Sequence, residues 1–355
     1  MSNIAKVDNN LVVNTKIEKE DIVFYNVTDA PFKVYGIYHE DGKFRRMPEN
    51  VARATSEGVL ALHANTAGGR VRFKTDSPYI AINAVMENVC LFPHCAATGT
   101  AGFDIYRKMD GEEQYIRSCV PPAWESSVDI KDGYEGVFDF DTEGMFEYTI
   151  HFPTYSDVKT LYIGLKNGAK LEAPEPYKYE KPIVYYGSSI TQGGCSARPG
   201  ITYQSAITRR LSYDHINLGF SGNAKAEPAM YNYIKNLDMS IFVYDYDHNA
   251  PTVEHLRNTH EPMFKAIREA QPDLPIIMMS RPSWFLSVAE KERLEIIKKT
   301  YNNAKASGDK NVYIITGQEL MKYVENDGTV DGCHPNDAGF WSMAKVLGDF
   351  LENLL

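Results

Sequence analysis

The sequence predicts an α/β protein in which an all-β sandwich domain precedes a three-layer α/β/α domain of flavodoxin-like winding. Residues 71–166 form short alternating segments rich in β-branched and aromatic side chains, as in antiparallel sheets. After Pro182, short apolar strands alternate with amphipathic helical stretches, a pattern typical of a parallel sheet with helices on both faces. We therefore expect a first domain at 1–170, a linker at 171–182 and a second domain at 183–355.

The segments of the first half are separated by turn residues, as in an antiparallel sandwich. They are VRFKT, YIAINAVM, GFDIYRKM, QYIRSCV, FEYTIHF and LYIGLK. The sequence before position 71 also looks mostly extended. A stretch rich in Pro, Glu and Lys just before Pro182 then interrupts the pattern, and this composition is typical of a linker.

In the second half the pattern predicts five strands, at 183–186, 216–220, 240–246, 275–280 and 312–316. Helices are predicted at 203–212, 228–237, 253–271, 288–306 and 337–354. Parallel sheets of this winding bind their ligands beyond the carboxyl ends of the strands. Functional residues are therefore expected in the loops that follow each strand.

Composition narrows the possible functions. The chain has 355 residues, 43% of them hydrophobic, which is enough for two domains with substantial cores. Its 37 basic and 47 acidic residues leave a net charge of −10, which opposes nucleic-acid binding. No apolar run is long enough to cross a membrane. Whether the chain forms a homo-oligomer stays open.

The five cysteines are an odd number without the spacing of a metal site or a disulfide framework. This favours reduced thiols and a cytoplasmic protein. The first residues, MSNIAKVDNN, lack the charged and then apolar pattern of a signal peptide. The histidine spacings indicate no metal site.

The loop after the first strand of the second half, Gly187-Ser188-Ser189-Ile190-Thr191, offers a candidate nucleophile. A small-residue turn between a buried strand and a helix places a hydroxyl near backbone N–H groups and the positive end of the helix. Ser189 fits this position. Alternatively, Gly and Ser simply form a tight turn or cap the helix.

Two later loops carry candidate hydrogen-bond donors. Gly222 follows the second strand and could present its backbone N–H to a developing oxyanion, or it could be a turn residue only. Asn249 follows the third strand, where its amide could be a further donor or could form an Asx turn with its own backbone.

The last loop contains Asp331 and His334. A carboxylate three residues before an imidazole can accept from Nδ1 within one compact turn and leave Nε2 free to face a nucleophile. The same spacing also occurs in Asp245 and His248, so the pattern alone does not identify the base.

Taken together, these four loops resemble the nucleophile, glycine, asparagine and closing Asp-x-x-His blocks of the SGNH (GDSL-like) hydrolases, in the family's order. GSSIT is similar to the family's GDSx block, with Ser188 in place of its usual Asp. The resemblance implies that Ser189 is the nucleophile and that its N–H helps to form an oxyanion hole.

By the same resemblance, Gly222 and Asn249 complete the oxyanion hole, although DHNA departs from the family's Gly-x-Asn-Asp. Asp331 and His334 match the family's acid and base. The match extends over about residues 182–354.

In the first half, GFDIY resembles the Gly-x-Asp-Leu-Tyr motif of a β-sandwich domain, jelly-roll in type, that precedes the SGNH domain in one bacterial subgroup. The loop 92–101 before it is long and could lean over the active site. Candidate substrate-binding residues are His94 in this loop and Arg281 and Trp284 after the fourth strand.

The resemblance implies a serine esterase that hydrolyses small acyl, chiefly acetyl, esters of small molecules or oligosaccharides through a Ser-His-Asp triad and without a cofactor. Three alternatives stay open. The same triad could serve an acyltransferase, or a lipase or thioesterase acting on longer chains. The sandwich alone would suit a carbohydrate-binding protein without catalytic activity.

Overall fold

The computed structural model describes residues 15–122, 130, 133–140 and 143–354. Strands dominate the described part of the first half. They are β1 (Ile22–Asn26), β2 (Lys33–Tyr35), β3 (Tyr38–Glu40), β4 (Lys43–Arg45), β5 (Arg70–Thr75), β6 (Tyr79–Met86), β7 (Phe103–Met109), β8 (Glu112–Cys119), β9 (Tyr134–Asp139), β10 (Phe146–His151), β11 (Val158–Lys166) and β12 (Leu171–Glu172). Within the predicted linker, β12 and the first residues of a further strand, which begins at Tyr179, are extended.

Ten of these strands form two antiparallel sheets that face each other, whereas β3 and β4 pair separately as a two-stranded antiparallel sheet. One sheet has the order β1-β11-β6-β9 and the other β12-β5-β10-β7-β8, with β2 also paired to β5. Both sheets contribute fully buried side chains to one core, among them Phe73, Ile82, Ile105 and Ile163. The alternating pattern therefore correctly predicts an all-β sandwich, because every second side chain enters this core.

The expectation that the sequence before position 71 is mostly extended is wrong in one part. Residues 49–62 form two short helices, α1 (Glu49–Thr55) and α2 (Glu57–Leu62), and Ser56 caps the second by accepting a hydrogen bond from Val59 N at 3.2 Å. Ala52 and Val59 are fully buried in a core built mostly by the second domain. The local sequence does not show that these residues pack against the second domain, and this tertiary packing stabilises the helices.

The second domain contains β13 (Tyr179–Gly187), β14 (Tyr213–Gly219), β15 (Ile241–Asp245), β16 (Ile276–Met279) and β17 (Val312–Ile315). After a short α3 (Ala97–Thr100) in the first half, its helices are α4 (Ser189–Gln192), α5 (Tyr203–Leu211), α6 (Pro228–Ile234), α7 (Val253–Ala270), α8 (Val288–Ala306), α9 (Gly317–Leu320) and α10 (Asp337–Leu354). Short 3-10 helices lie at Pro199–Ile201 and Glu325–Gly328.

The sheet of this domain has the order β14-β13-β15-β16-β17, and all its pairs are parallel. This is the predicted flavodoxin-like winding. Along β13, Val184 and Tyr186 enter one core with α6, α7 and α8, whereas Ile183 and Tyr185 enter the opposite core with α5 and α10. The predicted three-layer α/β/α arrangement is confirmed. Among the helices of the described residues, none combines the length and apolar character needed to cross a bilayer.

Candidate active site

The predicted catalytic and oxyanion residues lie beyond the carboxyl ends of the parallel strands. Ser189 follows β13, Gly222 follows β14 and Asn249 follows β15, while Asp331 and His334 precede α10. All parallel strands end at the same edge of the sheet, and this topology brings distant parts of the sequence together.

Of the two serines at the candidate nucleophile position, one caps a helix and the other faces a histidine. The Ser188 Oγ accepts a hydrogen bond from Ile190 N at 3.2 Å, so Ser188 is the residue that caps α4. Ser189 is the first residue of this helix, and its Oγ lies 2.9 Å from Nε2 of His334. The cap and the candidate nucleophile are therefore adjacent but distinct serines.

Asp331 orients the imidazole within one compact turn. Its Oδ2 lies 2.8 Å from Nδ1 of His334, and its Oδ1 accepts from the backbone N–H groups of Cys333 and His334 at 2.9 and 2.8 Å. Partial burial raises the pKa of Asp331, but these hydrogen bonds outweigh it and lower that pKa to about 2. The carboxylate is thus charged at neutral pH and can stabilise an imidazolium.

The second Asp-x-x-His pair has a different structure. Asp245 ends a buried strand and accepts a hydrogen bond from Thr191 Oγ1 at 2.5 Å, and burial raises its pKa to about 8. The Nε2 of His248 lies 3.2 Å from Sγ of Cys333, and burial lowers the pKa of this histidine to about 4. The two members of this pair therefore have separate partners.

The candidate oxyanion donors come from adjacent loops. Gly222 has a left-handed backbone (φ +69°), and a Cβ added to it would meet no described heavy atom within 4 Å. The Asn249 Nδ2 donates to the Phe220 carbonyl at 2.9 Å, which holds the amide against the glycine loop. Because an amide carries two N–H hydrogens, the second can serve another acceptor.

Gly222 and Asn249 line a cavity of about 470 Å³. Charged side chains of the same cavity come from Asp247, Arg281 and the helix α8, which provides Glu290 and Arg293. Sequence reasoning missed Glu290 and Arg293, although the capping box of Ser287 and Glu290 that begins α8 is visible in the sequence.

Of the predicted substrate-binding residues after β16, Arg281 lies at the cavity. It forms an ion pair with Glu290, and its guanidinium donates to the Gly332 carbonyl at 2.8 Å, next to Asp331. Trp284 is half-buried, and its carbonyl accepts from the Gln318 side chain, but it is not among the residues that line this cavity.

The first domain supplies a wall beside Ser189 and His334. The His94 ring lies 5.4 Å from the ring of His334, measured between centroids, and Phe92 packs edge-on against Tyr155. The Tyr155 hydroxyl donates to the Ser189 carbonyl at 3.3 Å. The loop 92–101 therefore does lie over this part of the second domain.

The motif GFDIY connects the domains through its aspartate. The Asp104 side chain is fully buried, and its Oδ2 accepts from Gly200 N at 2.9 Å and pairs with Arg198 at 3.4 Å. Burial raises the pKa of Asp104 to about 6 despite these contacts. Asp104 therefore holds the segment around Gly200, which follows α4 and its candidate nucleophile. The sequence did not reveal this role of Asp104.

The fold also brings together residues that could ligate a metal. Ligand atoms of His94, Cys195 and His334 lie within 4.8 Å of one another, as do those of Asp331, Cys333 and His334. Both nitrogens of His334 are already engaged with Ser189 and Asp331. A cation bound to either nitrogen would therefore have to displace Ser189 or Asp331.

Comparison with known families assigns both halves of the chain. A model of the GDSL-like lipase/acylhydrolase family matches residues 180–352, and a model described as the N-terminus of SGNH hydrolase-type esterases, named after the motif GxDLY, matches residues 22–171. The fold and the matched regions define an SGNH-type hydrolase. The chain belongs to the GDSL-like lipase/acylhydrolase family, a family of ester-hydrolysing enzymes, and carries the additional GxDLY domain.

Solved structures share the fold over nearly the whole chain. A GDSL-like lipase from Bacteroides ovatus is 26% identical, with a TM-score of 0.83 over 94% of this chain and 98% of that one. A salicylyl-acyltransferase from a tetracycline biosynthetic pathway is 21% identical, with a TM-score of 0.74 over 95% and 98%. A family two carbohydrate esterase from Cellvibrio japonicus is 11% identical, with a TM-score of 0.61 over 94% and 98%. No curated protein is significantly similar in sequence.

Proposed function

We propose that this protein is a serine esterase that removes small acyl groups, chiefly acetyl, from carbohydrate esters. The observation that carries the proposal is the continuous chain of hydrogen bonds from Ser189 Oγ to His334 Nε2 (2.9 Å) and from His334 Nδ1 to Asp331 Oδ2 (2.8 Å). This is the geometry that activates a serine hydroxyl as a nucleophile.

In the proposed mechanism, His334 takes the proton of Ser189 as the hydroxyl attacks the ester carbonyl, and Asp331 stabilises the imidazolium that forms. The N–H groups of Ser189 and Gly222 and the Asn249 amide bind the oxyanion of the tetrahedral intermediate. His334 then protonates the leaving alcohol. Finally, it activates a water molecule that releases the acid from the acyl-enzyme.

The cavity beside the proposed oxyanion donors Gly222 and Asn249 supports a polar substrate, although Ser189, Asp331 and His334 are not among the residues that line it. Asp247, Arg281, Glu290 and Arg293 place charges around a space of about 470 Å³, and the lining also includes apolar residues such as Leu286 and Leu294. A long acyl chain would lose much of the roughly 0.8 kcal/mol that each buried methylene contributes if it lay against these charges. A sugar hydroxyl can instead hydrogen bond with them.

Covalent labelling tests the nucleophile. A fluorophosphonate should modify wild-type protein at Ser189, as mapped by peptide mass spectrometry, and Ser189→Ala should abolish both labelling and turnover of p-nitrophenyl acetate. Ser188→Ala is the matched control, because it removes only the neighbouring cap hydroxyl and should keep the label. A label at any other residue would refute the proposed triad.

Substrate profiling separates the proposed activity from its alternatives. Turnover should be highest for acetyl and fall steadily to octanoyl among p-nitrophenyl esters, and an acetylated oligosaccharide should release acetate. Increasing turnover with chain length would indicate a lipase or thioesterase. Transfer of the acyl group to an added alcohol in preference to water would indicate an acyltransferase. Glycan binding without ester turnover would indicate a binding protein.

A cytoplasmic location also stays a proposal. The five cysteines are free, as expected for a protein in a reducing compartment. Fractionation of the source cells followed by immunodetection would test it, and detection in the culture medium alone would contradict it.

A further inference from the structure

Two cysteines from different domains meet beside the proposed triad. Cys95 lies in the loop before α3, and Cys195 lies in the turn that follows α4. Their sulfur atoms are 3.4 Å apart, although the residues are 100 positions apart in the sequence. Cys95 is half-buried and Cys195 is buried. A small oxidant can therefore approach the pair from the Cys95 side.

The chain segments that carry these thiols are packed tightly together. The Thr98 Oγ1 donates to the Ala197 carbonyl at 2.5 Å, and Gly99 lies so close to the Ser196 carbonyl that no side chain fits there. The Thr154 Oγ1 holds Gly99 from the other side, at 2.9 Å from its carbonyl oxygen. The short distance between the sulfurs is therefore built into the domain interface.

From this geometry we propose that Cys95 and Cys195 are an oxidation site, which a peroxide converts into a disulfide that joins the two domains next to His334. The sulfurs need only close from 3.4 Å to the ~2.05 Å of an S–S bond. Cys95 is the residue that reacts first, because it is half-buried and can meet the oxidant, whereas Cys195 is buried behind it.

The reaction balances with hydrogen peroxide as the oxidant. The Cys95 thiolate attacks one peroxide oxygen, so an S–O bond forms, the O–O bond breaks and hydroxide leaves. The Cys195 sulfur then attacks the sulfenic acid of Cys95. An S–S bond forms as the S–O bond breaks, and the hydroxide lost in this step takes the thiol proton as water. The hydroxide of the first step becomes a second water with the proton that the Cys95 thiol had lost, so two thiols are oxidised to one disulfide and one peroxide is reduced to two waters.

The disulfide would act on the triad because both segments border His334. A Cβ added at Gly194, the residue before Cys195, would lie 3.3 Å from Cδ2 of His334 and 3.0 Å from the Ser189 carbonyl oxygen. His94, the residue before Cys95, faces the same imidazole. Drawing the sulfurs together must displace these segments, and a misplacement of about 1 Å can cost roughly 10²-fold in rate. This consequence for turnover rests on the proposed function.

Peptide mapping tests the site without relying on activity. Reduced protein is treated with hydrogen peroxide, free thiols are blocked and the digest is analysed without reduction. We expect one cross-linked peptide pair that contains Cys95 and Cys195, about 2 Da lighter than the sum of the reduced peptides. Cys95→Ser should abolish it, and the matched control Cys90→Ser, a partly buried cysteine just before the same loop, should retain it.

Turnover of p-nitrophenyl acetate is measured on the same samples. Oxidised wild type and Cys90→Ser should lose at least about tenfold, up to the 10²-fold cost of a displaced triad, and dithiothreitol should restore it. Cys95→Ser should be unaffected. A disulfide elsewhere, oxidation without a cross-link, or a Cys95–Cys195 disulfide that leaves turnover unchanged would each overturn the proposal. If the reduced protein hydrolyses no ester, the proposed function fails, and the peptide map still decides the oxidation site.

Discussion

The molecule contains two Asp-x-x-His segments of identical spacing at one edge of one sheet, and their structures differ completely. Asp331 and His334 lie in a partly exposed turn, in which the carboxylate accepts from both the backbone and the imidazole. Asp245 is buried at a strand end and bonds to Thr191, while His248 faces Cys333. A turn lets the chain fold back so that the two side chains meet, whereas a strand end directs them to different partners.

The pKa values of the two aspartates are shifted in opposite directions. Partial burial raises the pKa of Asp331, but hydrogen bonds lower it to about 2, whereas burial raises the pKa of Asp245 to about 8 and lowers that of His248 to about 4. At neutral pH only the first pair combines an ionised carboxylate with an imidazole beside a serine. The balance between burial and hydrogen bonding, rather than the spacing, distinguishes the pairs.

The largest expected effect distinguishes the two histidines. His334→Ala should lower kcat for p-nitrophenyl acetate by about 10⁵ to 10⁶, because the serine loses its base. His248→Ala should lower it by less than roughly tenfold, because this side chain lines the cavity and contacts Cys333 rather than Ser189. His39→Ala, an exposed histidine of β3 that contacts the Lys159 carbonyl, is the control for general damage. Equal losses in His334→Ala and His248→Ala would show that the pairs are wrongly assigned.

Removing the charge of Asp331 should have the next largest effect. Asp331→Asn should reduce kcat by roughly 10⁴ with little change in KM, because the amide no longer stabilises the imidazolium. Since the folded-state pKa of Asp331 is lowered to about 2, its charge and the stability that it adds are lost only as pH falls towards 2. Activity profiles of wild type should therefore show no loss from this carboxylate above about pH 4. A wild-type-like kcat in Asp331→Asn would refute its role.

A smaller loss of kcat is expected when the proposed oxyanion donors are changed. Asn249→Ala should lower kcat by about 10² to 10³ without loss of binding. The stability of the same variant is measured by urea unfolding, because the Asn249 side chain also donates a hydrogen bond to the Phe220 carbonyl. Gly222→Ala is the companion, and its left-handed φ predicts a stability loss of about 1 kcal/mol. Stability losses without loss of kcat would identify both residues as turn residues only.

The smallest effect on turnover is expected at the second pair, Asp245 and His248, where the predicted change is in stability. The folded-state pKa of Asp245 is raised to about 8 from an ordinary value of 3.8, so the folded protein holds a proton that the unfolded chain releases. The free energy of unfolding contributed by this group therefore falls as pH rises from about 4 towards 8. Asp245→Asn should remove this dependence, which is at most about 1.4 kcal/mol for each pH unit between roughly pH 5 and pH 7 in urea melts. An unchanged pH dependence would contradict the raised pKa.

Sequence periodicity predicts the layers well, because each pattern reports which side of an element is buried. The predicted helix at 253–271 is observed as Val253–Ala270, and the predicted strand at 312–316 as Val312–Ile315. Residues 49–62 could not be predicted in this way. Their helices depend on burying Ala52 and Val59 against the other domain, which the local sequence does not encode.

The residues of the candidate site also include some that the sequence could indicate and some that it could not. Ser189, Asp331 and His334 could be selected as candidates because the carboxyl ends of parallel strands meet at one edge and because their loops resemble the blocks of the SGNH hydrolases in the same order. Trp284 was selected only for following a strand, and a position in the sequence does not say which way a side chain points. Cys95 and Cys195 were judged by sequence spacing, which says nothing about two segments that meet across a domain interface.

The hydrogen bond from Gly200 to Asp104 bears on how such proteins can be recombined. A buried acceptor in one domain satisfies the backbone of the other, so neither half carries a complete set of partners by itself. A second domain grafted onto a foreign sandwich would therefore lack this contact unless that sandwich presents an acceptor at the same point. For engineering, the unit to transfer is the pair of domains.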